Sequence, residues 1–210
     1  MARKLIREEG LERALRLFWR NGYNGTSMEM LTKELGVEKP SIYATFGSKR
    51  SLYLEALLHY RTSMVRRVAE FLDSAATPRA GIDRVVRFMM TSLYEPGVQE
   101  GCMVTNAALE LADQDGEVAA HVSTMLGEIG SLFEKSLLAG QKSGEVTTRV
   151  SADLLAAYLV NMIEGTRITE KTRPSKEKLR ALAQFSLSAL DPAFDAPHAH
   201  RALNSGAETT

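Results

Sequence analysis

The stretch from Thr26 to Arg50, TSMEMLTKELGVEKPSIYATFGSKR, constrains the fold more than any other part of the 210-residue chain. Thr26 and Glu29 have the T-x-x-E spacing of a capping box, which predicts a helix start at that point. Leu31 and Leu35 lie one turn apart with Met28 beside them, and Gly36 supplies a left-handed stop. Val37 is the lone apolar residue of the turn, suited to filling the gap between two helices. Glu38 can cap the next helix through its carboxylate, and Pro40 suits its first turn, where a missing N–H has no intrahelical partner. That helix is expected to reach about Phe46, with Ile42 and Phe46 facing inward. Lys39, Ser41, Tyr43, Ala44 and Thr45 are left on its outer surface. Gly47 breaks the run, and Ser48 caps a further helix beginning at Lys49.

A helix, a tight turn and a second helix with small and polar outward residues form the helix-turn-helix layout, whose second helix lies in the DNA major groove. An ordinary αα-hairpin has the same outline. The exposed face of this second helix, however, has no long apolar residue to pack on a neighbour. It combines a lysine, two hydroxyls and a tyrosine, groups that reach bases and phosphates.

At these residues the chain resembles the tetracycline-repressor (TetR) family of bacterial transcriptional regulators. The matching pieces are ALRLFWRNGYNGTS, ELGVEKPSIYATFGSK and RSLYLEAL, in order, over the first quarter to third of the chain. Thr32 departs from the small alanine usual at the helix crossing, and Glu38 replaces the usual serine cap and brings a negative charge near DNA. The resemblance implies a homodimeric, effector-responsive repressor that binds double-stranded DNA at a palindromic operator. It also implies that Tyr43 and Lys49 bind phosphates and that Thr26 anchors the backbone at its helix start. With Ser27 and Pro40 added to the outward residues, the candidate DNA-binding set is Thr26, Ser27, Lys39, Pro40, Ser41, Tyr43, Ala44, Thr45 and Lys49.

The formal net charge of zero hides an asymmetry. Residues 1–67 hold 13 lysines and arginines against 7 acids, whereas the remainder holds 13 against 19. A basic end on an acidic body fits nucleic-acid binding at that end. The basic residues Arg3, Lys4 and Arg7 form an arm that either reaches DNA or is merely solvated. A single cysteine, Cys102, suits a reducing cytoplasm. No signal peptide follows MARKLIREEG, and no apolar run approaches the ~20 residues that span a bilayer, so a cytoplasmic protein with no membrane partner is expected.

No segment alternates with period two over strand length, so the chain reads as all-α. The first helix is expected over Ile6–Asn21, with Trp19 packing on the helix-turn-helix. A long helix to about Ser74 carries Tyr53, Leu57, Tyr60, Met64, Val68 and Phe71 on one stripe, and Lys49 at its start makes a phosphate-binding arrangement. Further helices are expected from Thr77-Pro78 to about Tyr94, from Gly101 to about Asp113, and from Gly116 to Gln141 behind an Asp115 cap. Two more follow Ser151 and Pro174-Ser175, and they are the best candidates for a dimer interface. The implied organisation is a DNA-binding domain at 1–48, a regulatory and dimerisation domain at 49–191, and a poorly ordered tail at 192–210.

The body is rich in methionines and aromatics, which adapt to irregular ligands and equally serve as core. The ligand-binding candidates are Phe88, Met89, Tyr94, Cys102, Asn106, His121, Met125, Tyr158, Met162 and Arg167. Cys102 has two readings: a buried small hydrophobe, or a thiolate favoured by a helix N-terminus that senses oxidants or electrophiles. A redox-sensing repressor acting through Cys102 is therefore an alternative function. A helical enzyme is a more distant one, because His59 and His121 have no acid or thiol partners at catalytic spacing. No cofactor and no metal are expected: DQDGE fails as a calcium loop, and His198-x-His200 lacks acid or thiol company.

Overall fold

Among the described residues, helical periodicity becomes nine α-helices and no strand. The computed structural model describes residues 6–91 and 101–194. The helices are α1 (Arg7–Asn21), α2 (Met28–Leu35), α3 (Lys39–Phe46), α4 (Lys49–Asp73), α5 (Pro78–Thr91), α6 (Met103–Leu111), α7 (Gly116–Lys142), α8 (Ala152–Thr169) and α9 (Lys176–Ser188). The 3-10 turn Glu170–Thr172 after α8 was not anticipated. The expectations for Arg3, Lys4, Tyr94, the histidines at 198 and 200, and the tail beyond 194 fall outside the described residues.

Helix α4, about 37 Å long at 1.5 Å per residue, is the shared wall. Helices α1 and α3 pack on it at one end, and α5, α6 and α7 pack along the rest. Its expected stripe is inward: Tyr53, Leu57, Tyr60 and Val68 are buried, and Met64 and Phe71 are half-buried. Helix α7 runs through the body against α4, α5, α6 and α8, while α9 packs mainly on α5. A single apolar cluster extends from Ala14 in α1 to Leu190 past α9.

Three local expectations are corrected. The residue capping α2 is Ser27, whose hydroxyl accepts from the Met30 N–H at 3.2 Å. Thr26 is instead fully buried and donates its hydroxyl proton to the Gly22 carbonyl at 2.7 Å, which folds the preceding loop. Glu38 occupies the N-cap position of α3, but its side chain makes no capping bond. Trp19 points away from the helix-turn-helix: its ring meets Tyr60 of α4 edge-on at 5.1 Å, and its N–H donates to the Gly101 carbonyl at 3.1 Å. The half-buried indole thereby gains the one acceptor that its N–H can use.

The body also encloses a set of polar groups that apolar patterning did not reveal. Arg167 and Glu170, both nearly inaccessible, pair at 3.2 Å. Glu164, one turn before Arg167 on α8, accepts a hydrogen bond from the Thr105 hydroxyl of α6. Burial raises the pKa of both glutamates; the Arg167 charge opposes this for each, and Glu164 adds to the rise at Glu170. Desolvation therefore outweighs pairing here.

A carboxylate whose pKa is higher folded than unfolded destabilises the fold as pH rises through that interval, and costs nothing below the unfolded value. Glu164→Gln keeps an acceptor for Thr105 while removing the buried charge. It is expected to raise the melting temperature at about pH 8 and to leave it unchanged near about pH 4. Calorimetry at the two pH values checks this, and an equal rise at both would contradict the account.

Candidate nucleic-acid interface

Helix α2 ends at Gly36, whose left-handed backbone (φ 69°) lets its N–H reach the Thr32 carbonyl at 2.9 Å. The Val37 N–H reaches the same carbonyl at 3.3 Å, so the turn closes within three residues. The half-buried Val37 side chain packs against the core. Helix α3 then buries Ile42 and Phe46 completely or nearly so. Lys39, Pro40, Tyr43 and Ala44 are exposed, and Ser41 and Thr45 are half-exposed. The five expected outward residues thus lie off the core, and Ser27 at the start of α2 is exposed as well.

Several of these side chains already have partners. The Lys39 ammonium pairs with Glu29 of α2, which holds the Glu29 carboxyl down to about 2 and raises the Lys39 pKa. Both groups are solvent-exposed, so the pair is screened and exchangeable. Thr45 donates its hydroxyl proton to the Ser41 carbonyl at 2.8 Å, within its own helix. Lys49 lies with its ammonium 4.2 Å from the centre of the Tyr23 ring. Burial lowers its pKa, and the charge of Glu110 opposes that shift.

Arg7 has a role that the reading as an arm did not foresee. Its guanidinium donates to the Thr45 carbonyl, pairs with Glu55 of α4 at 2.7 Å, and lies 5.0 Å from the Phe46 ring centre. It staples the C-terminal end of α3 to α4. Arg50 is likewise committed: it forms a two-pronged pair with Asp115 at 2.8 and 2.9 Å and also meets Glu117. Asp115 meanwhile caps α7 through the N–H groups of Glu117 and Val118, and the Arg50 contact holds its carboxyl at about 2.

The described ligand-binding candidates are distributed over α5, α6, α7 and α8 and differ in burial. Met89 and Met125 are sealed in the core. Phe88 stacks edge-on with Phe71 at 5.2 Å and lies under the exposed Arg67, on the α4–α5 seam. His121 is half-buried on α7, with its Nδ1 enclosed and lacking a hydrogen-bond partner. Burial and the nearby Arg61 lower its pKa. Asn106, Tyr158 and Met162 are half-buried on α6 and α8.

Cys102 and Arg167 do approach a common group. The fully enclosed Tyr60 hydroxyl donates to the Cys102 sulfur at 3.5 Å and feels the Arg167 charge. The thiol is 3% exposed, which places it away from solvent-borne reagents. Tyr60, Thr105, Glu164 and Glu170 were missed as members of this polar set. A signal was available for two of them, since Glu164 and Glu170 flank Arg167 at three-residue spacing after a long apolar run. Among the described residues, no helix is long and apolar enough to cross a membrane.

Residues 11–56 match the family model described as bacterial regulatory proteins, tetR family. Residues 78–186, more than half of the chain, match the tetracyclin repressor-like C-terminal domain. The chain is 29% identical over 184 residues to the HTH-type transcriptional regulator YezE of Bacillus subtilis (strain 168), covering 86% of this chain and 94% of that protein. It is 24% identical over 195 residues to the HTH-type transcriptional repressor DhaR of Mycobacterium sp. (strain GP1), covering 93% and 97%. Among solved structures it is similar to a cysteine-substituted form of the TetR family transcriptional regulator CifR complexed with a 26-bp double-strand operator DNA. That likeness has a TM-score of 0.80 at 30% identity, over 90% of this chain and 99% of the other. Matched at both its reading hairpin and its helical body, the chain belongs to the TetR family of bacterial regulatory proteins.

Proposed function

We propose that the protein is a cytoplasmic, homodimeric transcriptional repressor that binds a palindromic operator and is released by a small-molecule effector. The observation that carries this reading is the outward face of α3. Its two large apolar residues are spent on the core, and it presents Lys39, Ser41, Tyr43, Ala44 and Thr45 together. The operator complex of CifR supports the same use of the hairpin.

In this reading residues 1–48 form the reading head and 49–191 the regulatory body. Ser41, Ala44 and Thr45 meet base edges, because short side chains let the helix approach the groove floor. Tyr43, Lys39 and Lys49 meet phosphates, and the exposed α2 N-terminus at Ser27 adds backbone N–H groups to the same task. Pro40 fixes the entry of α3. Thr26, being buried, contributes by shaping the loop rather than by touching DNA.

The second copy covers the exposed apolar residues of α8 and α9. Phe185 is 76% exposed, with Leu182 on the same helix and Leu154 on α8 also exposed. An exposed aromatic of that size, with Leu182 one turn before it on α9, sheds its contact with water only against a partner. Two-fold pairing there sets the two α3 helices one DNA turn, or a multiple of ~34–36 Å, apart. The effector acts in the body, among α4, α6 and α8, where polar groups are enclosed in apolar surroundings. Differential affinity for two body conformations is what shifts the heads.

Selection of bound duplexes from random DNA should enrich an inverted repeat, and failure to enrich any sequence would remove the reading. With that operator in hand, affinity should fall steeply as salt rises. Lys49→Ala should weaken all duplexes alike and reduce the salt slope by about one. Ser41→Ala or Thr45→Ala should change base preference, at roughly 1–3 kcal/mol for a specific contact, and leave the slope in place. Equal responses of Lys49 and Thr45 variants would contradict the division into phosphate and base contacts.

Phe185→Glu should turn the dimer into a monomer in sedimentation experiments and abolish tight operator binding, with the helical content intact. A dimeric Phe185→Glu protein would place the interface elsewhere.

A further inference from the structure

Helix α6 touches the reading head at both of its ends. At its start, the Gly101 carbonyl takes the Trp19 N–H of α1 at 3.1 Å. Near its end, the carboxylate of Glu110 reaches the loop between α1 and α2. One oxygen accepts from the Tyr23 N–H at 2.9 Å and the other from the Asn24 N–H at 2.7 Å. The loop is shaped around that carboxylate. Gly22 has φ +73°, and a β-carbon there would stand 2.6 Å from the Glu110 oxygen. The Tyr23 ring in turn packs between Tyr53, 5.0 Å away, and the Lys49 ammonium at 4.2 Å.

The same loop sets the reading hairpin. Thr26 folds back onto the Gly22 carbonyl, and Ser27, the next residue, caps α2. Helix α3 is carried by α2 and by the first turns of α4. Helix α6 is also held to the body, through Thr105 and Glu164 and through the Cys102–Tyr60 contact. A nine-residue helix is a rigid rod about 13 Å long. Its body-side contacts and the α1–α2 loop are thus joined, through Glu110, by one short rigid element. Two charge-assisted bonds from one carboxylate to adjacent backbone N–H groups resist both translation and rotation of the loop.

From this we infer that Glu110 is a positioning residue for operator binding: it fixes the attitude of the reading head relative to the body by gripping the backbone at Tyr23 and Asn24. The inference rests on the reading of α3 as the DNA-contacting helix. Glu110 itself touches no DNA in this account. Its loss leaves every phosphate contact available but lets the head sample orientations that a dimer cannot use on one operator.

The test compares the unsubstituted 210-residue protein with Glu110→Gln and Glu110→Asp. Hydrogen exchange is followed at the Tyr23 and Asn24 amides, and affinity for the selected operator is measured across a salt series. In Glu110→Gln the two amides should exchange at least about tenfold faster, while amides in the middle of α7 keep their protection. Operator affinity should fall about 5- to 150-fold, the range of ordinary coupling between sites. The slope of log affinity against log salt should stay unchanged, in contrast to Lys49→Ala. Glu110→Asp, which keeps the charge but is shorter, should lie between the two and remains informative if the glutamine variant folds poorly.

Faster exchange with unchanged affinity would overturn the positioning role, as would unchanged exchange. A loss of affinity with a flattened salt slope would also overturn it, since Glu110 would then be acting through a phosphate contact. If the unsubstituted protein binds no duplex, the reading of α3 fails instead, and the exchange measurement still decides whether Glu110 holds the loop.

Discussion

An eight-residue helix has no stability of its own in water, because nucleation costs more than so few hydrogen bonds return. Helix α3 exists because Ile42 and Phe46 are driven into the apolar seam against α4. Arg7 reinforces that seat from outside, lying near the Phe46 ring and bonding the terminal turn of α3 and Glu55 together. Once two inward positions supply the anchoring, the remaining positions of α3 are relieved of any packing duty. This is the physical reason that small and polar residues can collect on one side of it. A helix held by its own length would need more of its surface for the core.

The body solves a different problem. It encloses an arginine, a glutamate, a threonine and a tyrosine, with the half-buried Glu164 beside them, where an apolar interior is often at least as stable. Each polar group gains a partner from another helix or another turn: Thr105 from α6 meets Glu164 of α8, and Tyr60 from α4 meets Cys102. Such contacts have strict geometry, so they fix which way α4, α6 and α8 face one another. The same contacts leave the helices sensitive to anything that competes for those partners.

The periodic features of this chain were legible from residues alone. The stripe on α4, the inward pair of α3, the stop at Gly36 and the Asp115 cap all follow from spacing within one or two turns. What escaped was decided by groups far apart in sequence. The Glu110 contact with Tyr23 joins residues 87 positions apart, and Arg50 meets Asp115 across 65. Polar contacts of that kind have no periodicity to betray them. The near misses have local causes: Thr26 and Ser27 both satisfy a cap consensus, and only the packing of Thr26 into the loop selects its neighbour. Arg7 and Trp19 were assigned outward or local roles because a lone basic or aromatic residue does not announce which distant carbonyl it will find. The ligand-binding candidates were gathered by residue type, and type alone could not separate Met125 in the core from Phe88 on a seam.

The pairing of Lys39 with Glu29 has a bearing on how such a protein would search a chromosome. Any backbone phosphate that recruits Lys39 must displace an anion already in place, so the gain is the difference between two similar attractions. On the proposed use of α3, non-cognate duplexes, which offer charge but no fitting base edges, would draw less from this lysine than from an unencumbered one. The acidic neighbour would thereby lighten the hold on random sequence and shorten each fruitless stop.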